Sequence, residues 1–131
     1  MAPRWLCAVV LAALGCAGCG DGDAAGPRSV AAAFEEALGS EDGAAACALL
    51  APETRSELEQ SAGRPCAVAI LGEDLTVVRT PDGSETYGAM AQVRYDGETL
   101  FLAELEDGWR IRAAGCTPAA HSRFDCTIKG G

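Results

Sequence analysis

The chain has 131 residues with 19 acidic and 10 basic side chains, and its formal net charge is −9. This length has room for one domain, and an acidic balance excludes the concentrated lysine and arginine that binding to a nucleic-acid backbone requires. His121 is the single histidine, which excludes multi-histidine metal sites and any nucleophile–histidine pair that does not use it. These counts exclude several kinds of binding and catalytic site, but they do not indicate an activity.

The first 20 residues have the features of a secretory signal. Arg4 supplies a positive charge, and a run of apolar or small residues follows from Trp5 to Gly15. This run is shorter than the roughly 20 residues that a permanent transmembrane helix needs, so we predict a cleaved signal peptide over residues 1–18. The sequence LGCAGC at residues 14–19 resembles the lipobox of bacterial lipoproteins, in which small residues precede a cysteine that receives a diacylglyceryl group.

Two cysteines compete for this lipid. Cys16 and Cys19 each follow a glycine, as a lipobox cysteine commonly follows a small residue. Lipidation of Cys19 leaves an even set of cysteines outside the membrane, whereas lipidation of Cys16 leaves Cys19 as an odd thiol. We therefore prefer Cys19, with Cys16 as the alternative and an ordinary secreted protein as the third interpretation. The preferred interpretation predicts a domain anchored by lipid on the extracytoplasmic side of the cell membrane.

The four remaining cysteines are expected to form disulfides, because an extracytoplasmic protein folds in an oxidising compartment. Three pairings are available to four cysteines. We predict the local ones, Cys47 with Cys66 between neighbouring helices and Cys116 with Cys126 around a short loop after the last strand. Each bridge stabilises the fold by about 3 kcal/mol in the loop-entropy model. No close Cys-x-x-Cys pair occurs among them, so neither a metal nor another cofactor is expected.

One folded domain is predicted over residues 29–131, after the lipidated cysteine and a flexible tether at 19–28. Ser29 is expected to cap a first helix whose apolar side contains Val30, Phe34 and Leu38, with Glu35 facing water. Capping and proline signals predict three further short helices, which begin after Asp42, at Pro52 and after Pro65 and cover about 43–50, 53–60 and 66–71.

The pattern changes to alternation near residue 75, with turn signals at Asp96-Gly97 and Asp107-Gly108. We predict strands at about 74–80, 85–95, 98–105 and 109–115. The fold class is therefore α+β, with three to four N-terminal helices packed on a curled antiparallel meander of about four strands, in the shape of a cone.

The hairpin turns decide which side chains face the helices. We predict three-residue bulged turns, which pair Arg94 with Glu98 and Glu104 with Arg110 on the outer face. The inner face then contains Tyr87, Ala89, Ala91, Val93, Phe101, Ala103, Leu105, Trp109, Ile111 and Ala113.

Three large apolar side chains fall on the outer face in this register, namely Met90, Leu100 and Leu102. An outer face this apolar is a candidate contact surface for a partner, although the C-terminal tail could equally cover it.

Helices followed by a meander that ends in Asp-Gly-Trp-Arg-Ile at 107–111 resemble the nuclear transport factor 2-like, or cystatin-like, α+β roll. Small uncharacterised lipoproteins of high-GC Gram-positive bacteria are similar in the order of short motifs, found here at 47–50, 52–55, 65–67, 115–116 and 125–126. The resemblance covers nearly all of residues 29–131. It implies a cavity between helices and sheet, with Phe34, Tyr87, Phe101 and Trp109 as candidate lining residues, and it implies no activity.

Neither an acid–base pair nor a nucleophile stands out. His121 lies in the predicted disulfide loop and is interpreted as an exposed residue rather than a general base, and Glu73-Asp74 supply too few oxygen ligands for calcium. We expect a non-enzymatic tethered domain that binds an envelope protein or a small apolar ligand. The alternative, an isomerase- or cyclase-like enzyme, needs an enclosed cavity of roughly 300 Å³ or more with an ionisable side chain pointing inward.

Overall fold

The structure, a computed structural model, describes residues 26–77 and 80–131. The predicted signal peptide and both candidate lipidation sites, Cys16 and Cys19, lie outside the described residues. The helices are α1 (Pro27–Gly39), α2 (Gly43–Ala48), α3 (Pro52–Ala62) and α4 (Cys66–Ala69), which continues into a 3₁₀ turn at Ile70–Gly72. The strands are β1 (Gly83–Tyr87), β2 (Met90–Tyr95), β3 (Glu98–Leu105), β4 (Gly108–Pro118) and β5 (Phe124–Lys129).

All five strands form one antiparallel sheet in the order β1-β2-β3-β4-β5. A single apolar core joins the helices to this sheet, with Phe34 of α1, Leu100 and Leu102 of β3 and Ile111 of β4 all fully buried. The α+β class and the meander topology are therefore confirmed, and β1 and β5 are the edges of the sheet.

Local capping chemistry predicted most helix starts correctly. Asp42 caps α2 by accepting a backbone N–H of its first turn at 3.0 Å. Helix α3 begins at Pro52 and is capped at its C-terminus by Gly63, whose φ is 64°. The start of α1 differs from the prediction. Pro27 occupies the first turn, where the missing N–H of proline is no loss, and Ser29 lies inside the helix without capping it.

Strand boundaries differ from the prediction at both ends of the sheet. Residues 74–77 have no regular structure, and the predicted strand at 85–95 is two strands joined at Gly88, whose φ is 60°. A fifth strand, β5, replaces the loop predicted after Cys116. Alternating apolar residues at Phe124, Cys126 and Ile128 are the signal that indicates this strand.

The two central hairpins have two-residue turns, so the predicted three-residue turns are wrong. Tyr95 pairs with Glu98 across Asp96-Gly97, and Leu105 pairs with Gly108. Each pairing is one residue away from the predicted register, and a one-residue shift turns all side chains of a strand to the opposite face. The loop residues are Asp96-Gly97 and Glu106-Asp107, and a glycine with positive φ stands in the first loop at Gly97 and directly after the second at Gly108.

The shift exchanges the two faces of β3. Leu100 and Leu102 face the helices and are fully buried, so the contact surface predicted from them and Met90 is wrong. Phe101 lies on the opposite face, where its ring meets Phe124 edge to face with 4.9 Å between centroids. A second shift at the next hairpin turns β4 back to its predicted orientation, and its Trp109 and Ile111 are in the core as expected.

The predicted ion pairs are also replaced. Arg94 pairs with Glu85 of β1 at 2.7 Å, and Arg110 pairs with Asp107 at 2.9 Å. Glu98, the predicted partner of Arg94, is instead directed to the interior and is 7% exposed.

Both predicted disulfides are confirmed. Cys47–Cys66 joins α2 to α4, and Cys116–Cys126 joins two residues that face each other on β4 and β5. One bridge therefore fastens two short helices together, and the other fastens the edge strand to its neighbour.

Candidate functional site

A surface groove of about 360 Å³ runs between α3 and β5. Its floor is apolar, from Leu58 and Ile128, and its walls are polar. The remaining lining residues are Glu57, Ser61, Glu73, Cys126, Thr127, Lys129, Gly130 and Gly131. The groove therefore combines a small apolar base with a larger number of charged and hydroxyl groups.

Hydrogen bonds to β4 hold the two sides of this groove in place. The residue before α3, Ala51, donates its N–H to the carbonyl of Ile111 at 2.8 Å. The carbonyl of Arg112 then accepts two bonds, from the Thr54 hydroxyl of α3 and from the N–H of Gly130 after β5, both at 2.9 Å. One carbonyl thus fixes the distance between the helix and the edge strand.

The charges of the groove are not paired with one another. Glu57 and Glu73 face the groove from the helical side and Lys129 from β5. Among residues 26–77 and 80–131, none of the three makes an ion pair within 4.0 Å. Two carboxylates against one ammonium group leave the groove with an excess of negative charge.

One backbone position of β5, Lys129, points away from β4 along this edge. The N–H of Gly130 bonds to the carbonyl of Arg112 directly opposite, so the neighbouring pair of Lys129 with Ala113 is of the non-hydrogen-bonded kind. Cys126 lies opposite Cys116 on the same two strands, with 3.9 Å between their Cα atoms. Cys126 and Lys129 both line the groove.

A separate acidic cluster is buried between α1 and the sheet. Glu35 of α1 is 2% exposed and Glu98 of β3 is 7% exposed, so the expectation that Glu35 faces water is wrong. The two carboxyl groups are hydrogen-bonded to each other, which requires that they share a proton. The hydroxyl of Tyr95 is also buried here and has no hydrogen-bond partner in the described part of the chain.

Burial dominates the titration of this cluster. It raises the pKa of Glu98 above 4.5, and hydrogen bonds from Glu35 and from the backbone of Gly115 act in the opposite direction. Burial, together with the nearby Glu35 and Glu98 carboxyls, raises the pKa of Tyr95 to about 12. The cluster therefore favours its protonated forms.

Replacing Glu98 with glutamine is expected to remove a loss of stability at high pH. Because folding raises the pKa of Glu98, its contribution to stability is fully present below pH 4.5 and is lost as the pH rises through the raised pKa. The amide keeps the hydrogen bonds and cannot ionise. Urea unfolding at pH 4 to 8 should show Glu98→Gln about 1 kcal/mol more stable than the natural protein at pH 8, with no gain at pH 4.

Glu104→Gln is the matched control, since Glu104 lies on the same strand and is exposed. Its stability difference from the natural protein should not change over this pH range. A pH-independent effect of Glu98→Gln would show that the shared proton contributes nothing to stability.

The face of the sheet opposite the helices carries a small polar network. Glu85 accepts hydrogen bonds from Arg94, Gln92 and the Tyr87 hydroxyl. Arg94 first, then the other two donors, lower the pKa of Glu85 to about 2. Tyr87 is 63% exposed, so this face is solvated rather than part of a cavity.

The four residues predicted to line a cavity are not brought together. Phe34 and Trp109 are core residues, whereas Tyr87 is exposed and Phe101 lies on the opposite face of the sheet. None of the four lines the groove. His121 is exposed in the β4–β5 loop, as expected.

Sequence reasoning missed both the groove and the acidic cluster. The groove depends on β5, which was predicted as a loop. In the acidic cluster, Glu35 follows Phe34 directly on the buried side of α1, and a broad buried stripe on that helix is the signal that could have found it.

Comparison of the chain with protein-family models, with curated proteins and with solved structures found no match. The resemblance to nuclear transport factor 2-like rolls and to small lipoproteins of high-GC Gram-positive bacteria therefore stays a prediction. Within residues 26–77 and 80–131, no helix has the length and apolar character needed to cross a bilayer. The same residues contain no group of three or more cysteine, histidine or acidic side chains arranged to hold a metal ion.

Proposed function

We propose that this protein is a lipoprotein anchored on the extracytoplasmic side of the cell membrane, whose folded domain acts by binding another envelope protein or a small apolar ligand. The observation that carries the proposal is the distribution of the seven cysteines. Four of them form two disulfides in the folded domain. The other three, Cys7, Cys16 and Cys19, all belong to the first 19 residues.

Paired cysteines support an oxidising compartment. Both bridges are made within the folded domain, so that domain offers no partner to Cys19, which would be an odd thiol if Cys16 carried the lipid. Cys19, preceded by glycine and followed by a Gly-Asp-Gly-Asp stretch, is then the favoured lipid attachment site, with Cys16 as the alternative.

The arrangement of ionisable groups supports binding over catalysis. The alternative, an isomerase- or cyclase-like enzyme, needs a cavity and an inward ionisable group at the same place. Glu35 and Glu98 are inward but line neither the groove between α3 and β5 nor the smaller pocket beside α4. The carboxylates that do line the groove lie at its solvent-facing walls.

The negative charge of the chain also favours a lipid anchor. The chain carries a net charge of −9, which an anionic membrane surface repels. A lipid on Cys19, rather than the protein surface, would have to hold the domain at the membrane.

The mass of the mature protein tests this proposal. Intact mass spectrometry of protein isolated from its own membrane should give a chain that begins at Cys19 and carries a diacylglyceryl group. Reduction should add about four hydrogens, from two disulfides. A mature chain without lipid, or free thiols in the folded domain before reduction, would contradict the proposal.

A further inference from the structure

The two disulfides differ in their access to solvent. Cys47 and Cys66 are 3% and 1% exposed, and Cys116 is completely buried. Cys126 is half-buried and lines the groove between α3 and β5. Among these four bridged cysteines, Cys126 is therefore the one that a dissolved reagent can approach while the domain stays folded.

The direction of approach also favours Cys126. A thiolate attacks one sulfur of a disulfide and displaces the other, so its path lies on the side of the attacked sulfur remote from the leaving one. The bond runs from Cys116 of β4, an inner strand, to Cys126 of β5, an edge strand. The side of Cys126 remote from Cys116 is therefore the edge of the sheet, on which the groove opens.

The groove discriminates among thiols by charge. Glu57 and Glu73 outnumber Lys129 in its lining, and among residues 26–77 and 80–131 none of the three forms an ion pair within 4.0 Å. This excess of negative charge repels a thiol that carries an acidic group. A thiol that carries an amino group approaches without that repulsion.

We propose that Cys116–Cys126 is a site of thiol–disulfide exchange, at which a small neutral or cationic thiol attacks Cys126 from the groove between α3 and β5. The thiolate sulfur bonds to Sγ of Cys126, the bond between the two cysteines breaks, and Cys116 leaves as a thiolate that takes up a proton. The attacking sulfur is oxidised and the Cys116 sulfur is reduced, so the reaction needs no other oxidant or reductant. Exchange leaves the substituent of the thiol in the groove and removes the covalent link between β5 and β4. The proposed lipid anchor is not required for this reaction.

Peptide mapping of the natural protein after treatment with cysteamine tests the proposal. The folded protein is treated at mildly alkaline pH and quenched with acid, and free thiols are then blocked with N-ethylmaleimide in denaturant. At early times, mass spectrometry of the peptides should find cysteamine on Cys126 and N-ethylmaleimide on Cys116. The Cys47–Cys66 bridge should open at least about tenfold more slowly, because neither of its sulfur atoms is accessible.

Two matched substitutions on α3 locate the path of the thiol. Ser61 lines the groove and Ser56 does not, and both are exposed. Ser61→Trp should fill the groove and slow the reaction of Cys126 about tenfold, whereas Ser56→Trp should leave the rate unchanged. An intact Cys47–Cys66 bridge during the treatment shows that each variant is folded.

The charge of the thiol provides a second test. At low salt and equal concentrations of thiolate, 2-mercaptoethanesulfonate should react with Cys126 about threefold more slowly than cysteamine. Added salt should reduce this difference, because it screens the carboxylates of the groove.

Four results would overturn the proposal. Equal rates of opening of the two disulfides would show that exchange requires unfolding of the domain. A mixed disulfide on Cys116, or an unchanged rate in Ser61→Trp, would show that the thiol does not attack Cys126 from the groove. Equal rates for the two thiols at low salt would show that the thiol does not pass Glu57 and Glu73.

Discussion

Replacing both Cys47 and Cys66 with alanine is expected to lower the free energy of unfolding by about 3 kcal/mol. The bridge joins α2, which has six residues, to α4, which has four. Helices this short are not stable by themselves in water and depend on tertiary contacts. Without the cross-link, the unfolded chain gains the conformational freedom of a segment 19 residues long, which favours unfolding. Urea denaturation followed by far-UV circular dichroism measures the difference.

A comparison of oxidised and reduced protein separates the effect of the cross-link on stability from the effect of packing the sulfur atoms. Cys47 and Cys66 are 3% and 1% exposed, so alanine also leaves a small cavity. In a Cys116→Ala/Cys126→Ala background, oxidised and reduced protein differ only in the Cys47–Cys66 bond, and their stabilities should still differ by about 3 kcal/mol. A difference below 1 kcal/mol would show that tertiary packing alone holds the two helices together.

The helices were predictable because their signals are local. Asp42, Pro52 and Gly63 each act within one turn of their own position, through a capped N–H, a fixed φ and a left-handed φ. The disulfide pairing was predictable for a similar reason, since each cysteine pairs with the nearest cysteine along the folded chain.

The register of the sheet was not predictable from the strands alone. The two-residue turn at Asp96-Gly97 places Glu98 inside the domain. A prediction that assigns charged residues to the solvent-facing side of a strand excludes this register. Glu98 is tolerated there because Glu35, more than 60 residues earlier in the chain, shares a proton with it. The two-residue turn brings Glu98 into the interior, and Glu35 makes that position tolerable. Neither feature can be predicted from the sequence without knowing that α1 contacts β3.

The groove follows from the same kind of long-range contact. Its helical wall could be derived from the sequence, because α3 was predicted with nearly its observed bounds. Its second wall requires β5, and the separation of the two walls depends on bonds from Thr54 and Gly130 to the carbonyl of Arg112. Thr54, Arg112 and Gly130 belong to no sequence motif that would indicate this meeting point.

Replacing Gly43 with alanine is expected to destabilise the protein by about 3 kcal/mol. Gly43 is the first residue of α2 and is buried against α4. A Cβ atom at this position would lie 1.9 Å from the carbonyl oxygen of Ala67 and 2.8 Å from its carbonyl carbon. Both are backbone atoms, so the clash cannot be relieved by a side-chain rotation. One helix must move away from the other, although Cys47–Cys66 holds them together.

Gly72→Ala is the matched control, since nothing lies within 4 Å of the added Cβ and the residue needs no left-handed φ. Its stability should stay within about 0.5 kcal/mol of that of the natural protein. Because α2 and α4 approach each other closely at Gly43, Gly43→Ala should also lower the protection of the α2 amides in hydrogen exchange. Equal stabilities of the two variants would mean that α2 can shift at no cost, and that the bridge, rather than the contact at Gly43, sets the distance between the helices.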